Sequence, residues 1–555
     1  MIPWYVGFEL KKKKYQTVSG GNGVPQCPIS GDSTMSLKRT RKKAQPQQVL
    51  QKPRGLIHPR VQKVGPEHFG IISIDCAKAR SKWMLADFYG NVHVPPTFVA
   101  HNRVELDDAI QRVRAALAEH DLRDCLVAIE RTGRYHHAVK QAFSKGAFET
   151  RTVHPYATKQ FRQPDQADVK TDDIDLASIH RTAVNGFALL ETSRPTAWQE
   201  LQLLIRHRRG LVEKSSALCC QIREHLDAAL PGYAACFDKL WESQVAFTLV
   251  RQFGSAKAML EQGFPGLFEF LRRQQCRFQA RSVQTVLTWA ESAAAAEDAA
   301  ELHRQIALAY EDDRRRKHLE IQALERTIAS RLAQTPYILL LAIPGINVVT
   351  AADFAGEAGP IENYANANGI TGRAGLFPSR YQSDQVDRPH GRLVRRANRA
   401  LRATLLNIAD NLMLCNAYFR DRAALWKLKG KDPRASHVKV AKTFSRIGFA
   451  MVAGRQIFRH PCMRDRGYIT DKLLAFHTER DTPWPQVLQD LEHAIDQIPR
   501  KHHADEAKPL LDRQREAQRS RKKGPQPLSQ ILAVVLARLG VGGVSSTPSG
   551  EKDLT

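Results

Sequence analysis

Asp75, Glu130, Asp172 and Asp175 are the residues of this 555-residue chain whose types and placement can do chemistry. Asp75 closes the apolar run Gly70-Ile71-Ile72-Ser73-Ile74, and Glu130 closes Cys125-Leu126-Val127-Ala128-Ile129; both runs read as buried strands. Asp172 and Asp175 lie in Lys170-Thr171-Asp172-Asp173-Ile174-Asp175-Leu176, where Thr171 or Asp172 can cap a helix and the i, i+3 spacing sets both acids on one face. Free carboxylates repel one another. Gathered by a fold they need cations, and hard oxygen ligands favour Mg²⁺ or Mn²⁺, the ions of in-line phosphodiester chemistry. A chain with 57 Asp and Glu also places acids after strands by chance, and helix starts favour acids through the macrodipole. The ordered strand, strand, helix arrangement is what singles these four out.

Further downstream, Ile343-Pro344-Gly345-Ile346 lies between apolar helical patterns in the manner of a helix-hairpin-helix. In such a turn Gly345 lets the backbone approach a phosphate and the next helix offers free N–H groups; a Pro-Gly turn is also common in any helical protein. Ser383 sits in the polar stretch Ser379 to Gly391, with no histidine nearby to act as its base. Arg380, Arg392, Arg395, Arg396 and Arg402 are candidates to clamp a phosphate. Arg402 follows Asn398 by four residues and shares its helix face. The plainer role of these arginines is to pair with acids on neighbouring helices.

Taken in order, Asp75-Cys76-Ala77-Lys78, Glu130-Arg131-Thr132-Gly133-Arg134-Tyr135 and Lys170-Thr171-Asp172-Asp173-Ile174-Asp175 resemble the DEDD signature of the insertion-sequence transposases of the "one-ten" family, relatives of the pilin-gene invertase. Leu341-Ala342-Ile343-Pro344-Gly345-Ile346, Gly375-Leu376-Phe377-Pro378, Tyr381-Gln382-Ser383 and Arg396-Ala397-Asn398-Arg399-Ala400-Leu401-Arg402 resemble that family's C-terminal domain. The resemblance spans roughly residues 68 to 460. It implies a RuvC-like domain of RNase H type and makes Ser383 a covalent nucleophile. The candidate nucleic-acid contacts are Lys78, Lys170, Gly345, Arg380, Arg392, Arg396, Asn398 and Arg402. The chain departs from the pattern at Asp384 and Ala397, where the family usually has Gly, and at Leu176, where it usually has Ala.

Composition points to the same partner by a separate route. The chain carries 83 Lys and Arg against 57 Asp and Glu, a net charge of +26 suited to a polyanion. Ribosomal and membrane-surface proteins share that property. Through Gly65 there are 13 basic residues and two acidic ones, so +11 lies in a short Gly-, Pro- and Gln-rich leader that cannot build a core. Met35 offers an internal start, and the leader lacks the apolar region of a secretory signal. No stretch has the apolar length of a membrane span. Nine cysteines without a CxxC pair read as reduced thiols of a cytoplasmic, nucleoid-associated protein, and His502-His503 reads as a solvated patch.

These residues require elements to hold them. Strand and helix patterns alternate from about 68 to 190, with two further strands around Tyr89-Gly90-Asn91 and a helix over Val104 to Ala118, an order that suits an α/β RNase H-like (RuvC-like) domain. His154 to Val169 reads as a connecting loop able to touch nucleic acid. Residues 196–335 read as helical, one helix over Trp198 to Leu230 and another from about Ala293 to Thr335. Leu302, Ile306 and Ala309, then Ile321, Leu324, Ile328 and Leu332, follow near-heptad spacing that Glu311 to Lys317 interrupts. That pattern fits an antiparallel hairpin within the chain or a dimerising coiled-coil arm. A helical transposase domain is expected over 336–460 and an extension over 465–555.

The expected reaction is Mg²⁺- or Mn²⁺-dependent cleavage and rejoining of DNA by Ser383 in a dimer or tetramer. The resemblance adds a structured guide RNA from the element, which would place sequence specificity in base pairing. Two alternatives stay open: a RuvC-like endonuclease or junction resolvase in which water attacks, and an inactive nucleic-acid-binding relic.

Overall fold

The computed structural model describes residues 54–166, 169–191, 194–383, 386–388, 391–430, 432–457 and 460–499, the side chains of 163–166 excepted. Most of the leader, Asp384, His502-His503 and the tail beyond 499 lie outside the described residues. The described chain forms two compact units that divide between residues 192 and 193.

In the first unit the elements run α1 (His58–Val64), β1 (Phe69–Cys76), β2 (Arg80–Asp87), β3 (Val92–Ala100), α2 (Arg103–Glu119), β4 (Asp124–Glu130), α3 (His136–Lys145), β5 (Thr150–Val153), α4 (Pro155–Gln166), α5 (Asp172–Val184) and β6 (Leu189–Leu190). The strands form one sheet in the order β3-β2-β1-β4-β5-β6. β1 pairs antiparallel with β2 and parallel with β4; β4 and β5 are parallel, and β6 returns antiparallel on β5. Both faces of this sheet are covered, so its central strands are apolar on both sides, as the continuous runs implied. Ile72, Ile74, Val127 and Ile129 pack with Val113 of α2 and Phe143 of α3. Phe69, Ile71, Leu126 and Ala128 pack with Val61 of α1 and Ile179 of α5.

His154 to Val169 is not a connecting loop: most of it is α4, which packs against α5. Pro155 stands at the first position of that helix, where a missing N–H costs nothing.

The second unit comprises α6 (Thr196–Ala229), α7 (Gln244–Gln252), α8 (Ala256–Arg273, broken at Gly263), α9 (Ala280–Glu291), α10 (Ala300–Ala333), α11 (Val348–Ala358), α12 (Ala367–Arg373), the hairpin β7 (Tyr381–Ser383) and β8 (Val386–Arg388), α13 (Arg399–Cys415), α14 (Ala417–Leu428), α15 (Pro433–Gly454), α16 (Gly467–Thr478) and α17 (Trp484–Gln497). α6 and α10 run antiparallel, as the ion pairs Glu200–Arg331 and Arg208–Glu325 and the contact His225–His303 make plain. The heptad reading needs correction in the first half of α10. Leu302 is 58% exposed and Ala309 is also on the surface, while Glu311 is fully buried, its carboxylate held by Arg314 and Arg315. The stretch that interrupts the heptad spacing thus supplies its own counter-ions, at i+3 and i+4 from Glu311.

Two apolar cores organise this unit. One gathers the C-terminal end of α6 with α7, α8 and α9. The other surrounds a 3₁₀ segment, Pro336–Ala342, whose residues Tyr337 to Ala342 are fully buried, and draws on α11, α13 and α15. α16 and α17, within the stretch expected to be an extension, put Ile469, Leu473 and Leu491 into that same core.

Glu325 ties three helices together: it is 4% exposed and accepts from Arg208 of α6 and Arg480 just past α16, each at 2.6 Å. Glu325→Ala leaves two half-buried guanidinium groups without their anion and is expected to destabilise the second unit by roughly 3–5 kcal/mol; urea denaturation followed by tryptophan fluorescence measures the loss.

Candidate active site

The period of two along a strand decides where the first two carboxylates point. Asp75 shares the parity of Phe69 and Ile71, and Glu130 that of Leu126 and Ala128, so both face the side of the sheet covered by α5. The parallel register, Ile74 opposite Ile129, sets these strand ends side by side. Thr171 caps α5 by accepting from Ile174 N at 3.3 Å, which brings Asp172, Asp173 and Asp175 into its first turn. Lys82, opposite Asp75 on β2, reaches Asp173 at 2.5 Å and fastens the start of α5 to the sheet. Leu176 is buried beneath the acids.

These groups feel one another's charge. Burial pushes the Glu130 carboxyl up to about 7, with Asp75 and Asp175 adding to the rise and Lys170 opposing it. Burial also raises Asp75, with Asp175 and Asp172 contributing. The Thr158 hydroxyl of α4 draws Glu130 slightly down without closing a full hydrogen bond. Asp175 is only 6% exposed and accepts from Arg162 Nη1 at 2.7 Å, with Lys170 Nζ at 3.7 Å. Arg162 belongs to the stretch expected to touch nucleic acid; here it pairs with the Asp175 carboxylate.

The donor set fits a hard cation in chemistry and in charge, since all four acids offer oxygen and the protein leaves Asp75 and Glu130 poorly compensated. The side chains are not closed into a ligand shell: among the described residues no group of three or more His, Cys, Asp or Glu is arranged to hold a metal ion.

Ser383 belongs to the second unit, where it ends β7 and is exposed, paired in register with Val386. What sequence read as a polar loop is a hairpin with an ordered base. Ser379 N and Oγ donate to Arg392 O at 2.8 and 3.0 Å, and Arg380 pairs with Asp387. Arg402 holds that base closed by donating to the carbonyls of Ala374 and Val394. Gly375 leaves room for it: with φ at +63°, a Cβ there would fall 2.5 Å from Arg402 Nη2. Asn398 caps α13 through Leu401 N and donates to Glu357 at 3.3 Å. Glu357 is fully buried; burial raises its pKa, and hydrogen bonds from Arg206 of α6 more than offset that and leave it low. Sequence reasoning missed Lys82, Arg206 and Glu357, and only the hairpin register opposite Asp75 carried a signal, for the first of them.

The remaining candidates fall into three situations. Lys78 is exposed in the turn after β1. Arg392 and Arg396, with Arg395, line an open cleft of about 480 Å³ beside the hairpin base. Gly345, with φ at +96°, makes its close approach to the protein itself, since a Cβ would lie 3.0 Å from Asn411 O. The helix-hairpin-helix expectation changes accordingly. Asn347 and Thr350 form a capping box on α11, and Lys472 Nζ donates to the carbonyls of Leu341, Ile343 and Ile346 at 3.1, 3.1 and 2.7 Å. Burial there lowers Lys472 to about 8.

The first unit thus brings carboxylates together at paired strand ends, and the second carries Ser383 on an exposed hairpin. Residues 72–231 match the DEDD transposase family of IS110 type, described as "Transposase", and residues 337–424 match "Transposase IS116/IS110/IS902 family". Both matches support an IS110-family transposase. The matches name neither a pilin-gene invertase nor a serine domain, and the DEDD match points to a divalent metal without specifying which. No curated protein matches the chain. Among the described residues no helix is long and apolar enough to cross a membrane.

Glu130 and Asp75 bind protons more tightly in the folded than in the unfolded protein, so metal-free stability is expected to fall as pH rises from about 4.5 toward 7 and to level off above. Glu130→Gln removes the charge and should raise the melting temperature at pH 8 by a few degrees, roughly 2–4 °C per kcal/mol relieved. Scanning calorimetry in EDTA from pH 5 to 8 checks both; a variant less stable than wild type at pH 8 contradicts the repulsion.

Proposed function

We propose that this transposase cuts and rejoins DNA through a phosphoserine link formed by Ser383, assisted by a divalent cation at an RNase H-like carboxylate site. The observation that carries the reading is the placement of Asp75 and Glu130 on adjacent parallel strand ends facing the helix of Asp172 and Asp175, with Asp75 and Glu130 raised by burial and by neighbouring negative charge. The strand order β3-β2-β1-β4-β5, antiparallel up to β1 and parallel from β1 to β5, supports the RNase H-like assignment.

Asp75, Glu130, Asp172 and Asp175 are the residues that would hold Mg²⁺ or Mn²⁺. The bound ion would supply Lewis-acid polarisation of the scissile phosphate and charge neutralisation. Ser383 Oγ loses its proton and forms a bond to phosphorus, while the bond from phosphorus to a sugar oxygen breaks and that oxygen leaves as a hydroxyl. A DNA hydroxyl later attacks the same phosphorus and returns Ser383. One phosphodiester is exchanged for another, so the step needs no nucleotide triphosphate. Arg392, Arg395 and Arg396, around the cleft beside the hairpin, suit a phosphate.

The reading includes a structured guide RNA encoded by the element and a dimer or tetramer as the working form. The net charge of +26 suits a polyanionic partner and fits DNA alone or DNA with RNA equally. Incubating the protein with Mg²⁺, element-end DNA and RNA from the flanking region should yield a covalent protein–DNA adduct. Ser383→Ala should abolish the adduct, and Asp75→Asn should reduce its formation by about 10²- to 10³-fold, the scale of losing one dominant electrostatic contribution. Cleavage that persists in Ser383→Ala without any adduct would sink the serine reading and leave a nuclease that uses water.

A further inference from the structure

Between the two family-matched stretches, the second unit carries a surface that neither match covers. α8 ends at Arg273, and the chain turns through Gln275, which has φ at +53°, before α9 begins at Ala280. An open cleft of about 710 Å³ lies along this turn, lined by Phe268, Arg272, Gln275, Cys276, Arg277 and Phe278.

The turn is held by its backbone, while Phe268, Cys276 and Phe278 lean partly on the core beneath and also line the cleft. Gln275 N and Cys276 N donate to Arg272 O and Leu271 O, and Arg277 N donates to Gln244 Oε1 at 2.8 Å. The aromatic rings form a row: Phe264 stacks on Phe268 at 5.7 Å, and Phe268 meets Phe278 edge-on at 5.1 Å. Phe264 is 36% exposed. From Arg272 to Arg281 there are four arginines and no acid. Arg273 pairs with Glu269, whereas among the described residues no carboxylate pairs with Arg272, Arg277 or Arg281.

We propose that this cleft binds single-stranded polynucleotide, its bases against the phenylalanine row and its phosphates on Arg272, Arg277 and Arg281. Duplex DNA buries its base faces and presents phosphates and base edges, so it cannot stack on the rings. An unpaired strand, RNA or DNA, offers a π face at every nucleotide together with a phosphate for each guanidinium. Gln275, beside the rings, can donate to or accept from a base edge. The cleft therefore suits the unpaired segment of a displaced strand or of an RNA loop. The proposal draws on the family's action on DNA and does not depend on the serine chemistry.

The test uses the full chain without Mg²⁺, so that strand cleavage does not enter, and labelled 12-mers of oligo(U), oligo(dT) and a duplex of the same length. Arg272→Ala combined with Arg277→Ala should flatten the salt dependence of single-strand binding by about 1.4 in log K against log salt, about 0.7 for each phosphate that is no longer neutralised. Phe264→Ala, a change at an exposed position, should weaken single-strand binding by at least about 5-fold, the lower end of one stacked base, and leave duplex binding unchanged. Ultraviolet cross-linking and peptide mapping should place adducts within residues 262–281. Binding to oligo(U) alone identifies RNA as the occupant, and equal binding to both strands identifies a sugar-indifferent groove. Unchanged affinity and salt dependence in these variants, or adducts confined to other peptides, would overturn the proposal.

Discussion

Like charges do not gather unless a stronger constraint holds them, and here that constraint is the two-residue period of a sheet packed on both faces. Once Phe69, Ile71, Leu126 and Ala128 are committed to one core, Asp75 and Glu130 have no freedom to turn away from α5. Shifting either strand by one residue would send every side chain on it to the opposite core and turn its acid away from α5. The repulsion between the acids is therefore offset by burial elsewhere in the unit, and Lys82, Arg162 and Lys170 soften it from three directions.

The second unit solves a comparable problem with buried pairs. Asn398 and Arg402 close the base of the serine hairpin, Asn398 leans on Glu357, and Glu357 is anchored by Arg206 on the long helix α6. The exposed tip carrying Ser383 thus stands on a network that reaches back nearly two hundred residues in sequence. A site on an exposed hairpin gains its precision from a rigid base.

How much of this was legible in the sequence depended on whether a side chain's surroundings are local. The strands of Asp75 and Glu130 were readable because double-sided burial writes continuous apolar runs, and Thr171 advertised the start of α5. The long helices α6 and α10 were readable from periodicity, although α10 begins later than spacing suggested. α4 was not readable, because its polar composition and two prolines mimic a loop. The hairpin around Ser383 was hidden by strands of three residues each, too short for any alternation to register. Glu325 and Glu357 were illegible in principle: their counter-ions decide their burial, and those lie far along the chain.

The ammonium of Lys472 has a consequence for the order in which the protein assembles. It closes on three carbonyls that lie 126 to 131 residues earlier, around the Pro344–Gly345 turn. During synthesis that turn emerges long before α16 exists, so its carbonyls face water until residue 472 has left the ribosome. The core around Pro336–Ala342 is consequently a late-closing one, dominated by distant contacts that slow folding. A nascent chain stopped at residue 460, the end of the recognisable transposase motifs, would carry every motif of the second unit and still lack the cation that locks its central turn.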